Sequence, residues 1–240
     1  MQELFRSTDL TGRPAFMEYA NKIGDGFCSF VQPAQQKSVL FFSEYELKAL
    51  ELEDLQAAIF CLGFIHTELL RKGRRQQTTR MLHDLFCENT IFYLSPEVKI
   101  GGPELFGWPH WLLKLLYTKF SILFGKFWKD EQDTSRSGRA IPPPPDHFLS
   151  IRSAIKPTDA RFFSLAPQLT GIYLTSCDDG TSAFNGVPLS IPPEVLEVES
   201  LELNRVSKEY FLYLLNRIPA TFYLEMKEWG LGEWRKQQKE

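Results

Sequence analysis

The stretch from Trp108 to Lys129, WPHWLLKLLYTKFSILFGKFWK, constrains the fold more than any other part of the chain. Set on a helical wheel, it gathers Leu112, Leu113, Leu116, Phe120, Leu123, Phe124 and Phe127 on one broad face. Lys114, Lys119, Lys126 and Lys129 fall on the other. The spacing predicts one long amphipathic helix over 109–129, with Pro109 in the first turn, where a missing N–H does no harm. A face this apolar must be buried, because packing such a face supplies most of a helix's stability inside a protein. The first expectation is therefore a core helix whose lysines reach outward to water. The alternative is a non-enzymatic binding module, in peripheral contact with an anionic membrane surface or with a partner helix. Trp108, Trp111 and Trp128 sit at the ends of the segment and its only charges are positive, a combination suited to an anionic lipid surface.

Composition supports a folded chain. Of 240 residues, 43% are hydrophobic and 24% charged, which excludes a wholly disordered or collagen-like chain. No run reaches the ~18 uninterrupted apolar residues of an ordinary membrane span. Net charge is −3, and it is uneven: residues 63–139 carry +4 while both flanks are acidic. That excess is modest, and no nucleic-acid partner is expected from it. No G-x-G-x-x-G or Walker sequence is present, so nucleotide binding by those routes is disfavoured. Cys28, Cys61, Cys87 and Cys177 are scattered, without C-x-x-C or zinc-finger spacing to any histidine, so no metal site is expected. The N-terminal MQELFRSTDLTGRP has no apolar core of an export signal. Reduced thiols and a cytoplasmic location follow as expectations.

Periodicity places the other elements. Pro14–Ile23 reads as a helix closed by Gly24-Asp25-Gly26, and Lys37–Ser43 as a strand. Glu53–Lys72 is a helix with Leu55, Ile59, Leu62, His66 and Leu69 on one side and Gly73 just past its end. Gln77–Phe86 is a further helix and Thr90–Leu94 a strand. Residues 130–146 form a Pro-rich loop ending in four prolines, which neither a helix nor a central strand accepts. Phe148–Ile151 reads as a strand, Pro157–Leu165 as a helix start, Gly171–Ser176 as a strand and Val206–Ile218 as a helix. The terminal RKQQKE reads as a frayed tail. Helices and strands mix without strict alternation, so the expected fold is α+β. It is a single domain over 1–240 with a mainly antiparallel sheet and packed helices.

Reactive residue types are densest after the prolines. His147, Arg152, Asp159 and Arg161 lie within fifteen positions, beside a loop long enough to close over a site. Arg152 and Arg161 are the candidate binding residues, since a guanidinium can clamp a carboxylate or phosphate at two points. Asp159 and His147 are the candidate acid–base groups. Cys28, in a turn-like segment, is a candidate nucleophile, and a loop thiol can also ligate haem, the one cofactor left open. A structural Arg152–Asp159 pair is the competing reading. His66 and His83 read as packed residues and His110 as part of a Trp-rich turn. The functional expectation is a small-molecule-binding protein, a biosynthetic enzyme acting on a small substrate with an anionic group.

Three blocks in order resemble an uncharacterised bacterial domain family. They are Cys28-Ser29-Phe30-Val31-Gln32-Pro33-Ala34, the Leu-rich segment ending Leu123-Phe124-Gly125-Lys126-Phe127, and the proline run with Phe148 to Arg152 and Asp159 to Phe163. Where that family's pattern has Pro, Gln and His, this chain has Ser29, Lys126 and Trp128. The resemblance implies one domain and draws attention to Cys28, Arg152 and Asp159; the family has no assigned activity, so it implies no mechanism. Limited proteolysis should cut first within Asp130–Ala140, and two fragments that melt independently would overturn the one-domain expectation.

Overall fold

The computed structural model describes residues 6–7, 12–48, 51–135, 137–163, 166–189 and 221–237. In chain order the elements are β1 (Arg6–Ser7), α1 (Pro14–Gly26), α2 (Val31–Gln36), β2 (Leu40–Leu47), α3 (Leu52–Arg75), α4 (Arg80–Leu85), β3 (Cys87–Leu94), α5 (Gly107–Tyr117), β4 (Ile122–Phe127), β5 (His147–Ser153), α6 (Lys156–Asp159), α7 (Pro167–Thr175) and α8 (Thr221–Gln237). Single 3₁₀ turns occupy Gly102–Phe106, Thr118–Phe120 and Ala160–Phe163. The fold is α+β, as expected, with helices packed on one sheet of strand order β1-β2-β3-β5-β4. That sheet is mixed rather than mainly antiparallel. β2 and β3 run parallel from Leu40↔Cys87 to Leu47↔Leu94, because α3 and α4 carry the chain back to the starting edge between them. The other neighbouring pairs are antiparallel.

The expected 109–129 helix is broken in two. α5 ends at Tyr117, one 3₁₀ turn follows, and Ser121 takes a left-handed φ of 57° that turns the chain into β4. Ile122, Leu123 and Phe124 are buried in succession, as in a strand covered on both faces. A short apolar run of that kind fits a helix and a doubly covered strand equally well, and periodicity alone does not separate them. The stripe Leu112, Leu116 and Phe120 is buried all the same, and Phe127 is half-buried. The apolar surface required by a membrane-bound or partner-bound helix is therefore already covered by this chain. Among the described residues no helix is long and apolar enough to cross a membrane.

Other expectations shift for local reasons. α1 runs through Gly24 and Gly26, β2 (Leu40–Leu47) starts and ends a few residues later than Lys37–Ser43, and α8 takes in Arg235, Lys236 and Gln237 of the expected tail, whose last three residues lie outside the described residues. Gly171–Thr175 of the expected strand is helical and Ser176 follows the helix end: Pro167 opens α7, and Tyr173 stacks on Phe163 with ring centres 4.8 Å apart. The helix expected at Val206–Ile218 lies outside the described residues.

Both faces of the sheet are covered. Consecutive residues of β5 point to opposite sides: the Phe148 ring meets Phe16 of α1 at 5.5 Å, while Leu149 reaches Gly63 of α3. α3 is the central element, buried along most of its length, with α5 and α8 against it. Gly63 marks its closest approach. A Cβ there would stand 2.6 Å from Leu113 Cδ1 and 3.0 Å from Leu149 Cδ2. Gly73, expected just past the helix end, lies inside α3 under the ring of Phe86, where a Cβ would be 2.6 Å from Cε1. Gly63→Ala should lower unfolding free energy by roughly 1–3 kcal/mol through overpacking, despite alanine's better helix propensity. Urea unfolding followed by circular dichroism measures it, and an unchanged or raised midpoint would contradict this packing.

Candidate functional site

Arg152 and Asp159 come together as a closed pair. Arg152 Nη1 donates to Asp159 Oδ2 at 2.7 Å and Nη2 to Oδ1 at 2.8 Å. Asp159 also accepts the Ile155 N–H at 2.7 Å, and Arg152 Nη1 donates to the Ser153 carbonyl at 2.9 Å. The Phe30 ring lies under the guanidinium, 5.0 Å from its carbon. Burial works against the charge on Arg152, but its hydrogen bonds to Asp159 and that carboxylate's charge outweigh it and hold the guanidinium charged. The two-point clamp expected for a ligand is thus made with a carboxylate of the same chain, and it ties β5 to the α6 turn.

The remaining expected site residues scatter around this pair. Cys28 is half-buried just past α1, close enough to Arg152 for its charge, when formed, to act on the guanidinium. Cys87, the cross-strand partner of Arg152, is buried, and its thiol is pushed up to about 12 by burial, which leaves it inert near neutrality. His147 begins β5, five residues from Arg152 and on the opposite side of the sheet, roughly 17 Å along the strand. Its Nδ1 accepts the Lys129 N–H at 3.3 Å, and burial lowers its basicity. Arg161 is exposed, its guanidinium resting on the Phe162 ring at 4.9 Å. The loop 130–146 folds back toward α1, where Arg139 lies over the Phe27 ring at 4.7 Å. His110 is half-buried in α5, its Nε2 3.1 Å from the Phe124 carbonyl. Burial, aided by Lys114, holds its imidazole neutral down to about 3.

A different place is concave. At the carboxyl ends of the parallel strands β2 and β3, an open groove of about 400 Å³ is lined by Arg13, Ala15, Phe16, Glu44, Tyr93 and Asp146. Arg13 Nη2 donates to Glu44 Oε2 at 2.7 Å, and Tyr93 donates to Glu44 Oε1 at 2.7 Å. The Arg13 hydrogen bond is the largest influence on Glu44; with the Tyr93 hydrogen bond and the Arg13 charge it outweighs burial and holds the carboxyl below its ordinary range. Lys129 lies 3.6 Å from Asp146. The first turn of α1 borders the groove with no side-chain cap on its leading N–H groups. Arg152 and Asp159 belong to the opposite end of β3 and β5 and do not line it.

Two buried polar clusters also went unread in the sequence. Arg71 holds Asp178 through Nε and Nη2, the latter at 2.8 Å, pairs with Glu68 at 2.9 Å and stacks on Phe120 at 3.7 Å. Burial opposes the Asp178 charge, but the Arg71 hydrogen bonds outweigh it and lower the carboxyl's titration. Arg74 beside it meets the Ser121 and Phe120 carbonyls and His83, and burial brings it down to about 10. The second cluster lies under α3. Ser43 donates to Glu88 Oε1 at 2.7 Å, His66 Nδ1 is 3.2 Å from the same oxygen, and the Tyr45 hydroxyl is 2.7 Å from His66 Nε2. Ser43, His66 and Glu88 are fully buried. His66 looked like a packed residue because its neighbours at helical spacing are apolar, and Glu88 lay just before the expected strand. The available signal was a carboxylate at the head of a strand that runs on into Ile91 and Phe92, where burial demands a partner. Among the described residues no group of three or more His, Cys, Asp or Glu is placed to hold a metal ion.

No protein family, no curated protein and no solved structure matches this chain. Geometry and chemistry alone carry the functional argument. The closed Arg152–Asp159 pair generates one expectation about stability. Arg152→Ala leaves a buried carboxylate without its counter-charge and should cost about 3–5 kcal/mol. Thermal and urea unfolding of Arg152→Ala and of the double variant Arg152→Ala/Asp159→Asn check it, with the double variant recovering part of the loss. A single variant as stable as wild type would reopen Arg152 as a ligand clamp.

Proposed function

We propose that the protein binds and acts on a small polar molecule carrying an anionic group, seated in the groove between α1 and the carboxyl ends of β2 and β3. The carrying observation is the groove itself: about 400 Å³, a size suited to a small metabolite, with an arginine and an uncapped helix start on one wall. The Ala15 and Phe16 N–H groups supply donors for the anionic end, beside the positive charge of Arg13, whose guanidinium Glu44 engages at Nε (2.6 Å) and Nη2 (2.7 Å). The Tyr93 ring, 36% exposed, supplies apolar surface for the remainder. Glu44 and Asp146 face the same space and are balanced by Arg13 and Lys129, so the groove has little net charge. That balance suits a ligand with both an acidic and a basic or hydroxyl group better than a bare anion. This reading moves the binding arginine from Arg152 to Arg13 and keeps the class of ligand expected from the sequence. A cytoplasmic location, with its thiols reduced, belongs to the same proposal.

Thermal-shift screening against small amino, hydroxy and phospho carboxylates tests it. A true ligand should raise the melting temperature of wild type, and the rise should vanish in Arg13→Ala and in Ala15→Trp, which fills the groove. A shift that survives both substitutions would place the ligand elsewhere and end this assignment.

A further inference from the structure

The chain Ser43–Glu88–His66–Tyr45 has the order of an acid–base relay, and we infer that Tyr45 is a proton-transfer group driven by His66 and Glu88. The argument begins with how the residues are placed. Ser43 and Tyr45 alternate with Glu44 on β2, so they face α3 while Glu44 faces the groove. Glu88 is the register partner of Phe41 on the parallel strand β3 and shares that α3-facing side. α3 brings His66 down between them. This site therefore lies across the sheet from the groove and does not rest on the reading of that groove.

The contacts have direction. Glu88 accepts the Ser43 hydroxyl and lies 3.2 Å from His66 Nδ1, an ion-pair distance whose angle does not make a hydrogen bond. A carboxylate there favours the proton on Nδ1, which leaves the Nε2 lone pair for the Tyr45 hydroxyl 2.7 Å away. A hydroxyl so placed can give its proton to a histidine whose positive charge a nearby carboxylate balances, with a phenol as the terminal group. His66 and Glu88 are fully buried and Tyr45 is half-buried, so the relay runs from the core to the only member that solvent reaches. Thr90, register partner of Ser43, adds a buried hydroxyl with no hydrogen-bond partner among the described residues. In the proton-transfer step, the Tyr45 O–H bond breaks, its proton passes to Nε2, and the imidazolium so formed is held beside Glu88. The phenolate left behind takes a proton from an acidic C–H or O–H of a bound small molecule. Tyr45 then gives its proton to that molecule at another atom and takes back the proton held on His66 Nε2, which restores the starting state. The ligand class is a molecule with such a proton, for instance one alpha to a carbonyl. Tyr45 would touch the substrate; His66 and Glu88 are positioning residues.

Reactivity toward an aryl sulfonyl fluoride tests this on the intact protein. The Tyr45 oxygen attacks sulfur, the S–O bond forms as S–F breaks, fluoride leaves, and the phenol's proton passes through His66 to water. Peptide mapping should show Tyr45 labelled about 10²-fold faster than Tyr93, the low end of what a positioned base supplies. Tyr93 is the more exposed at 36% but its hydroxyl is committed to Glu44, so a rate governed by access alone would favour it. His66→Gln keeps a hydrogen-bonding side chain but cannot take the proton, and should abolish the preference; Glu88→Gln should weaken it. Should those variants fail to fold, the wild-type pH profile still decides. The Tyr45 labelling rate should level off before an unassisted phenol ionises near pH 10. Labelling that follows exposure, or a rate still climbing at pH 10, would overturn the relay.

Discussion

The burial of α3 is the constraint on which the rest of the structure depends. The helix lies under the sheet and is covered by α5 and α8, so side chains on all its faces are removed from water. Its apolar residues supply core, with Phe60 and Phe64 packed on Phe222 of α8 at 5.8 Å each. Its polar residues have to find partners inside the protein, because an unpaired buried charge costs several kcal/mol. Each such partnership fastens α3 to a different part of the chain. His66 reaches β2 and β3, Arg71 takes hold of Asp178 and the Thr181 carbonyl, and Arg74 meets the turn at Phe120–Ser121. The loop after α7 and the left-handed turn at Ser121 are thereby held by the same helix that carries the relay histidine.

The opposite face of the sheet is built more lightly. α1 and α2 cover it through Phe16, Tyr19 and Phe30, with Phe127 stacked on Phe148 at 4.5 Å beneath them. At one end the Arg152–Asp159 pair closes this layer; at the other the start of α1 stands away from β2 and β3 and leaves the groove. The two polar centres that the molecule offers for function thus share one end of the sheet but lie on opposite faces of β2. Adjacent residues Glu44 and Tyr45 belong one to each. This follows from the strand's period of two.

Much of the helical content was legible in the sequence because it rests on local rules. α1 and α3 follow from apolar spacing, from Pro14 at the start of one and from Glu53 and Asp54 at the start of the other. β3 and β5 follow from short β-branched and aromatic runs. The 109–129 segment was misread because seven apolar residues satisfy a helical period and a doubly buried strand alike, and the choice was made by Ser121 adopting positive φ and by β5 offering β4 an antiparallel edge. Gly171–Ser176 was misread for the converse reason: its residues suit a strand, but Pro167 and the stacking of Tyr173 on Phe163 hold a helix. Gly73 looked like a helix end because nothing local announces the ring of Phe86 above it.

For the site, the sequence by itself determined the residue types and one pairing. The Arg152–Asp159 contact spans seven positions and was anticipated as a structural pair. It determined as well that the stripe of Leu112, Leu116 and Phe120 would be buried, since no other fate suits that much apolar surface in a folded chain. Only the tertiary structure decided which groups meet. Arg13 and Glu44 are 31 positions apart, Ser43 and Glu88 are 45, and Arg71 and Asp178 are 107. Those meetings are set by sheet register, by the parallel β2–β3 crossover and by the seating of α3. All three are cooperative properties of the whole core that no local period encodes.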